Sequence, residues 1–285
     1  MFHVEQTHTQ LLAQPKDHLV SGERFEIRLD VNTHVAATHP RPSKKKLSDY
    51  YASDEYISHG NHKRRLADQL YSAVQRIMFA KKRKWMKRHS ASSASYLDFG
   101  CGTGDFVNNL AERGWISHGI EPNEKARTFN PAYKNVYASL GQLPPMRFGI
   151  IGLWHVLEHL PDPKETLTAL EKKLTPEGVF FIALPNFNSF DAKHYKDFWA
   201  AYDVPRHLWH FSAKGIEKLM QALGYEMIEQ RGLFFDAIYV SYLSEKQQKK
   251  RGALLRGLFW GLYSNLKAHR SGEYSSRVYV FKRKN

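Results

Sequence analysis

Asp98, Gly100, Gly102 and Gly104 stand at alternate positions in the stretch Tyr96 to Gly104, YLDFGCGTG. A short apolar run leads into the acid and the glycines turn the chain. Phe106, Val107 and Leu110 then follow at helical spacing before Gly114. Glycine lets a backbone approach a ligand closely, and the N–H groups opening the next helix face that ligand. Alone, the loop could also be a plain strand-to-helix turn with no ligand. Glu121 strengthens the ligand reading. It lies 23 residues after Asp98, at the end of the strand-like Ile116 to Ile120 and before Pro122-Asn123. A strand–helix–strand unit sets such a carboxylate at the tip of the neighbouring strand, where it accepts both hydroxyls of a ribose. Loop, spacing and terminal acid together point to a ribose-bearing cofactor.

A second group could move protons. His155 and His159 fall in HVLEH, and His207 and His210 in DVPRHLWHFS. The imidazole titrates near neutrality and suits a general base. For each one, a hydrogen-bonded structural histidine is the competing reading.

These groups need a scaffold. FGIIGL (148–153) reads as a buried strand, and VFFIAL (179–184) as one buried on both faces. Between them Asp162 is placed as an N-cap and Pro163 at the first helical position, with Leu167, Leu170 and Leu174 at helical spacing. Leu66, Leu70, Val74 and Ile77 mark an earlier helix, which the basic run Lys81 to His89 continues or ends. Ala91 to Ser95 reads as a linker. Ile216, Leu219, Met220 and Leu223 mark a helix ending at Gly224, and segments 237–243 and 277–281 read as final hairpin strands.

GxGxG with an acid two residues before it, followed by WHVLEHLPDP and LTPEGVFFIALPN, resembles the class I S-adenosylmethionine (SAM) methyltransferases, in particular the ubiquinone-biosynthesis O-methyltransferases. The likeness runs from about Tyr50 to the C-terminus. It implies an α/β fold: a doubly wound, Rossmann-like seven-stranded sheet, helices on both faces, and an antiparallel final strand. It implies SAM as cofactor, with Asp98 near the methionine amino group. Gly100, Cys101, Gly102, Thr103, Gly104, Glu121, Pro122, Asn123, Ser139, Leu140, Trp154 and His155 complete the implied cofactor set. It places His155 near the sulfonium as base, with His159 and His207 as further catalytic candidates.

The chain departs from the pattern in two places. Phe148-Gly149 stands where many relatives have Phe-Asp, and Ser139-Leu140 offers no carboxylate for the adenine amino group. Some relatives carry an ExxEH metal motif. Here it reads His155-Val156-Leu157-Glu158-His159, which disfavours magnesium, and the base expectation is no metal. With His207 or His210, Glu158 and His159 would instead suit a transition ion.

Three parts are expected: an irregular segment 1–46, resembling a zinc ribbon without its cysteines and including the strand-like Arg24 to Leu29; a tyrosine-rich lid and basic helix, 47–90, with Tyr51 and Tyr56 as lid candidates; and the methyltransferase domain, 91–285, with acceptor-site insertions at 186–211 and 244–272. The apolar face Leu254, Leu255, Leu258, Phe259, Leu262 reads first as an ordinary packed helix, and second as a peripheral membrane contact.

Composition sets the outer bounds. The chain has 285 residues, net charge +14 and one cysteine, Cys101. One cysteine excludes an internal disulfide and a cysteine-rich zinc site. The basic balance permits nucleic acid or anionic lipid, but no aromatic RNA-binding motif accompanies it, so nucleic acid is not favoured. No signal peptide or spanning segment is read, which makes the cytoplasm the default. The expectation is a methyltransferase acting on a small or amphipathic acceptor at oxygen. An RNA or protein methyltransferase, or a degenerate SAM-binding regulatory domain, is the alternative. Oligomeric state is not readable.

Overall fold

A computed structural model describes residues 8–51, 65–89, 94–130 and 132–284. Lid candidate Tyr56 and linker residues Ala91 to Ser93 lie outside them. The chain divides into two compact units, residues 1–53, 155–166 and 182–284 in one, and 54–154 and 167–181 in the other. The expected three-part division therefore does not match the contacts.

The unit containing 54–154 holds the glycine loop. β4 (Ser95–Phe99) pairs in parallel with β5 (Ile116–Ile120) and with β7 (Phe148–Trp154). β6 (Val136–Tyr137) extends β5, also in parallel. Leu97, Ile120, Ile150, Ile151 and Leu153 are buried, as strands covered on both faces require. A helix, Asp105–Ala111, follows the loop and buries Phe106, Val107 and Leu110, the face set by their spacing. A longer helix, Arg65–Lys87, absorbs most of the basic run. In the helix Pro163–Glu171, whose last residues 167–171 fall in this unit, Glu165 N–H donates to Asp162 Oδ1 at 3.0 Å, the expected cap. β8 (Leu174–Pro185) is common to both units.

In the other unit the N-terminal segment is a sheet rather than irregular chain. β1 (Thr9–Ala13), β2 (Glu26–Asp30), β3 (Val35–His39) and β9 (Trp209–Phe211) form an antiparallel sheet in that order. β2 overlaps the strand-like Arg24 to Leu29, while β3 is hidden in the sequence because Val35, Ala36 and Ala37 bury only small apolar side chains. The core around Phe25, Ile27, Tyr195, Trp199 and Tyr202 covers the sheet. Arg206 sits almost fully buried, donating to Asp17 Oδ1 at 3.1 Å and Asp203 Oδ1 at 2.7 Å. A buried charge held on two carboxylates is costly to break, so this arginine fastens the loop before β9 to the N-terminal turn.

The expected hairpin is corrected in its first half. β10 is Tyr225–Gly232, antiparallel to β11 (Ser276–Arg283), while residues 237–243 lie in a helix, Phe234–Gln247. Ala237, Val240, Ser241, Ser244 and Glu245 are its buried residues. Their i, i+3, i+4, i+7, i+8 spacing is helical. Two of them are serines, so an apolar-only pattern reads as a strand. The largest sheet thus has seven strands, in the order β10-β11-β8-β7-β4-β5-β6.

Candidate active site

Two sets of chemically capable residues form, one in each unit. The first surrounds the glycine loop. Gly100, Gly102 and Gly104 all have positive φ (77°, 56° and 79°), the left-handed region that glycine enters without strain. Gly100 and Cys101 N–H groups donate to the Ile120 carbonyl at 2.8 and 3.0 Å, which ties the loop to the end of β5. Glu121 locks it further. Its Oε2 accepts from Gly102 N–H at 3.0 Å and its Oε1 from Asn123 N–H at 2.9 Å. Asn123 in turn caps the short helix Glu124–Arg127 through Ala126 N–H. The sequence-expected group Gly100 to Gly104 and Glu121 to Asn123 is thus one hydrogen-bonded assembly. Thr103 donates to Asp105 at 2.8 Å and fixes the loop's exit.

Asp98 ends the group. It is buried at the end of β4. Burial pushes its carboxyl up to about 6, with Lys82 and the Tyr96 hydroxyl pulling the other way and Glu121 adding to the rise. Trp154 Nε1 donates to the same Tyr96 hydroxyl at 2.8 Å, and Lys82 Nζ lies 3.8 Å over the Trp154 ring. Neither Lys82 nor Tyr96 stands out in the sequence, since one is hidden in a basic run and the other reads as plain strand. Burial raises the Cys101 thiol well above its usual range, and a Cβ added at Gly119 would meet its sulfur at 2.5 Å. Cys101 is a small packing residue and not a nucleophile.

The chemistry of these residues fits a ligand with a ribose and an ammonium group. Among the described residues an added Cβ at Gly102 meets nothing within 4 Å, so the loop has open space at Gly102. A buried carboxylate whose charged form is opposed by burial is a group that a ligand ammonium would stabilise. At Ser139 and Leu140 the fit is weaker. The turn Leu140–Gln142 carries no acid, and Ala138 N–H is already held by Gln142 Oε1 at 2.8 Å.

One test of the loop follows. Gly104→Ala places a Cβ at φ 79° and 2.7 Å from Val136 Cγ2. The left-handed backbone alone costs about 1–2 kcal/mol, so thermal melting is expected to drop by several degrees. Gly102→Ala, with open space at its Cβ, should lose only the backbone part.

The second set is the histidine cluster of the other unit. Glu158 is 1% exposed, and among the described residues its oxygens have one partner, an ion pair at 3.4 Å with His155 Nδ1. His155 Nε2 is 3.1 Å from Asp236 Oδ2. Burial works against charge on this imidazole, but Asp236 and Glu158 outweigh it and raise it to about 10. His155, expected as the base, is therefore a cation at neutral pH. It also adopts φ 56°, a strained position for a side chain of its size. Asp236 carries no signal in the sequence because its segment reads as the approach to a strand.

His207 is the neutral member. Burial, with His159 next, drives it well below the ordinary histidine value. Its Nδ1–H donates to the Ala201 carbonyl at 2.9 Å, which leaves Nε2 with its lone pair. His159 packs edge-on against it, ring centroids 4.5 Å apart, and its Nδ1 lies 2.9 Å from the Tyr51 hydroxyl. His210 is structural. Thr38 gives its single proton to the His207 carbonyl at 2.6 Å and accepts from His210 Nε2 at 2.9 Å, and burial lowers that imidazole to about 3. Leu208 N–H donates to the Glu158 carbonyl at 2.9 Å, the backbone link that brings HVLEH and PRHLWH together. Glu158, His159 and His207 each bring one donor atom to within 4.8 Å of the others, a set that suits a transition ion.

Comparison with known proteins identifies the family. A family profile described as "Methyltransferase domain" matches residues 63–230. The ubiquinone biosynthesis O-methyltransferase of Idiomarina loihiensis is 26% identical over 167 residues, 53% of this chain and 69% of that protein. The one from Vibrio atlanticus is 32% identical over 107 residues, 33% of this chain and 45% of that protein. For most such relatives the chain spans about half their length, 49–50% in the Azoarcus and Pseudomonas fluorescens proteins. Among solved structures, magnesium protoporphyrin IX methyltransferase from Synechocystis, solved with S-adenosylhomocysteine (SAH), superposes with a TM-score of 0.53 at 14% identity, over 85% of this chain and all of that one. At that identity the likeness is one of fold.

Proposed function

The chain belongs to the methyltransferase domain family, and on that footing we propose that it moves a methyl group from SAM to an oxygen of a small or amphipathic acceptor. One observation carries the reading: the Glu121 carboxylate bridges the glycine loop and the tip of β5, with Asp98 buried at the end of β4. The O-methyltransferase names of the relatives support oxygen as the target.

SAM, when bound, supplies an electrophilic methyl group and departs as a thioether. The residues do the rest. Glu121, which holds the loop through Gly102 and Asn123 N–H, would accept from a ribose diol, and Asp98 would pair with the methionine ammonium. The reaction needs the acceptor proton removed as the O–C bond forms. His207 Nε2, neutral and free to accept, takes that proton in this reading. The ring is held still by its bond to Ala201. His155, charged on Asp236 and Glu158, offsets the charge of these two carboxylates and holds them in place in the cluster that contains the base. Incubating the protein with methyl-labelled SAM and phenolic or extract-derived acceptors tests this directly. Label in the organic phase is the expected result. Label confined to protein or RNA would replace the reading.

A second reading is favoured by Glu158, a buried carboxylate whose one ion-pair partner among the described residues is His155 at 3.4 Å. Glu158, His159 and His207 would hold a transition ion that polarises the acceptor oxygen. Elemental analysis of the purified protein separates the two, since the first reading expects no stoichiometric metal.

Asp98 sets a pH dependence for binding. With its carboxyl at about 6, the ionised form that attracts an ammonium disappears as pH falls through that value. SAH affinity is expected to be about tenfold weaker at pH 5 than at pH 7.5. Asp98→Asn should bind weakly at both pH values and flatten the profile.

A further inference from the structure

The helix Ala253–Ser271 is packed the wrong way round for a soluble surface. Its buried residues are Gly257, Gly261, Ser264, Asn265 and Ala268. At Gly257 and Gly261 an added Cβ would collide with the backbone of Tyr242 and Ile238, so the helix docks on Phe234–Gln247 through its smallest side chains. The bulky residues face outward. Leu254, Leu255 and Leu266 are 68%, 74% and 64% exposed, and Leu258, Phe259 and Leu262 are exposed beside them. At about 100° per residue these six fall within roughly 140° of one another. The expectation of an ordinary packed helix is corrected: the apolar face is not the packed one. Among the described residues no helix is long and apolar enough to cross a membrane.

Charge identifies the occupant. From Lys246 to Ser271 the sequence has seven lysines and arginines and no acid. Lys249, Lys250 and Arg251 precede the apolar face, and Lys267 and Arg270 flank its far end. A second copy seated on this face would set basic clusters against basic clusters, in a chain of net charge +14. An anionic lipid surface complements both features: apolar side chains enter the acyl boundary while lysines and arginines meet phosphate. We propose that this helix lies in the interface of anionic membranes and holds the protein there.

Vesicle co-sedimentation tests it with the full chain. Phosphatidylcholine vesicles containing 30% phosphatidylglycerol, as ~30% is ample charge, should pull down the wild type at low salt, and pure phosphatidylcholine should not. The triple variant Leu254→Glu, Leu255→Glu, Leu266→Glu changes only exposed positions and should lose binding at least about tenfold, with SAH binding and circular dichroism unchanged. In Phe259→Trp, emission should shift to the blue on adding the anionic vesicles. No wild-type binding, or equal binding by the triple variant, overturns the proposal. So does a wild-type dimer in sedimentation velocity that the triple variant dissolves, which would assign the face to a second copy.

Discussion

Glu121→Gln will weaken SAH binding by roughly 10–100-fold, while the protein stays folded. Both carboxylate oxygens are already in use, one on Gly102 N–H at 3.0 Å and one on Asn123 N–H at 2.9 Å. An amide can satisfy only one of these donors, because its NH2 then faces the other. Glutamine therefore frees one edge of the loop and also removes the charged acceptor for a ribose diol. Hydrogen bonds to charged groups contribute about 1.5–3 kcal/mol each, which sets the range of the loss. Calorimetry with SAH at pH 7.5 gives the number. Unchanged affinity would remove Glu121 from the ligand and leave it a loop fastener only.

His207→Asn is expected to lower turnover about 10²–10⁴-fold, the usual weight of a general base, with SAH affinity within about twofold of wild type. Asparagine can place its Nδ2 where Nδ1 now donates to Ala201, so the ring's anchoring bond survives. What disappears is Nε2 and its lone pair. His155→Ala removes a cation held by Asp236 and Glu158 and leaves Glu158 buried without its ion pair. It should lose stability as well as rate, so the two variants are distinguishable. Equal loss of SAH affinity in His207→Asn would make the histidine part of the cofactor's support and leave the base unassigned.

Much of the cofactor half is legible in the sequence. Glycine at alternate positions and an acid 23 residues on are local signals. The physics linking them is local too: positive φ at three glycines, and one carboxylate reaching two nearby N–H groups. The histidine half is legible as residue types but not as roles. Whether His155 is base or cation depends on Asp236, far along the chain in a helix whose serine-bearing inner face resembles a strand. Lys82 is hidden in the same way, as one positive charge among many, and only the fold lays it over Trp154. Of the N-terminal sheet only β2 is legible, as the strand-like Arg24 to Leu29; β1 and β3 escape because short strands with few or small apolar residues resemble polar loop. The outward-facing leucines of residues 253–271 escape because periodicity gives a face but not its direction, and the glycines opposite decide that direction.

The central claim is that the loop after β4 holds SAM. Calorimetric titration of SAM and SAH into wild type and Gly102→Asp tests it most directly. Aspartate tolerates the left-handed backbone better than most residues, and its Cβ would meet nothing within 4 Å, so the variant should fold. Its added carboxylate would project into the open space at Gly102. Binding of both ligands by the wild type at about one per chain, with little or none in Gly102→Asp, is the expected result. No heat from the wild type, or equal binding by the two proteins, would contradict the claim.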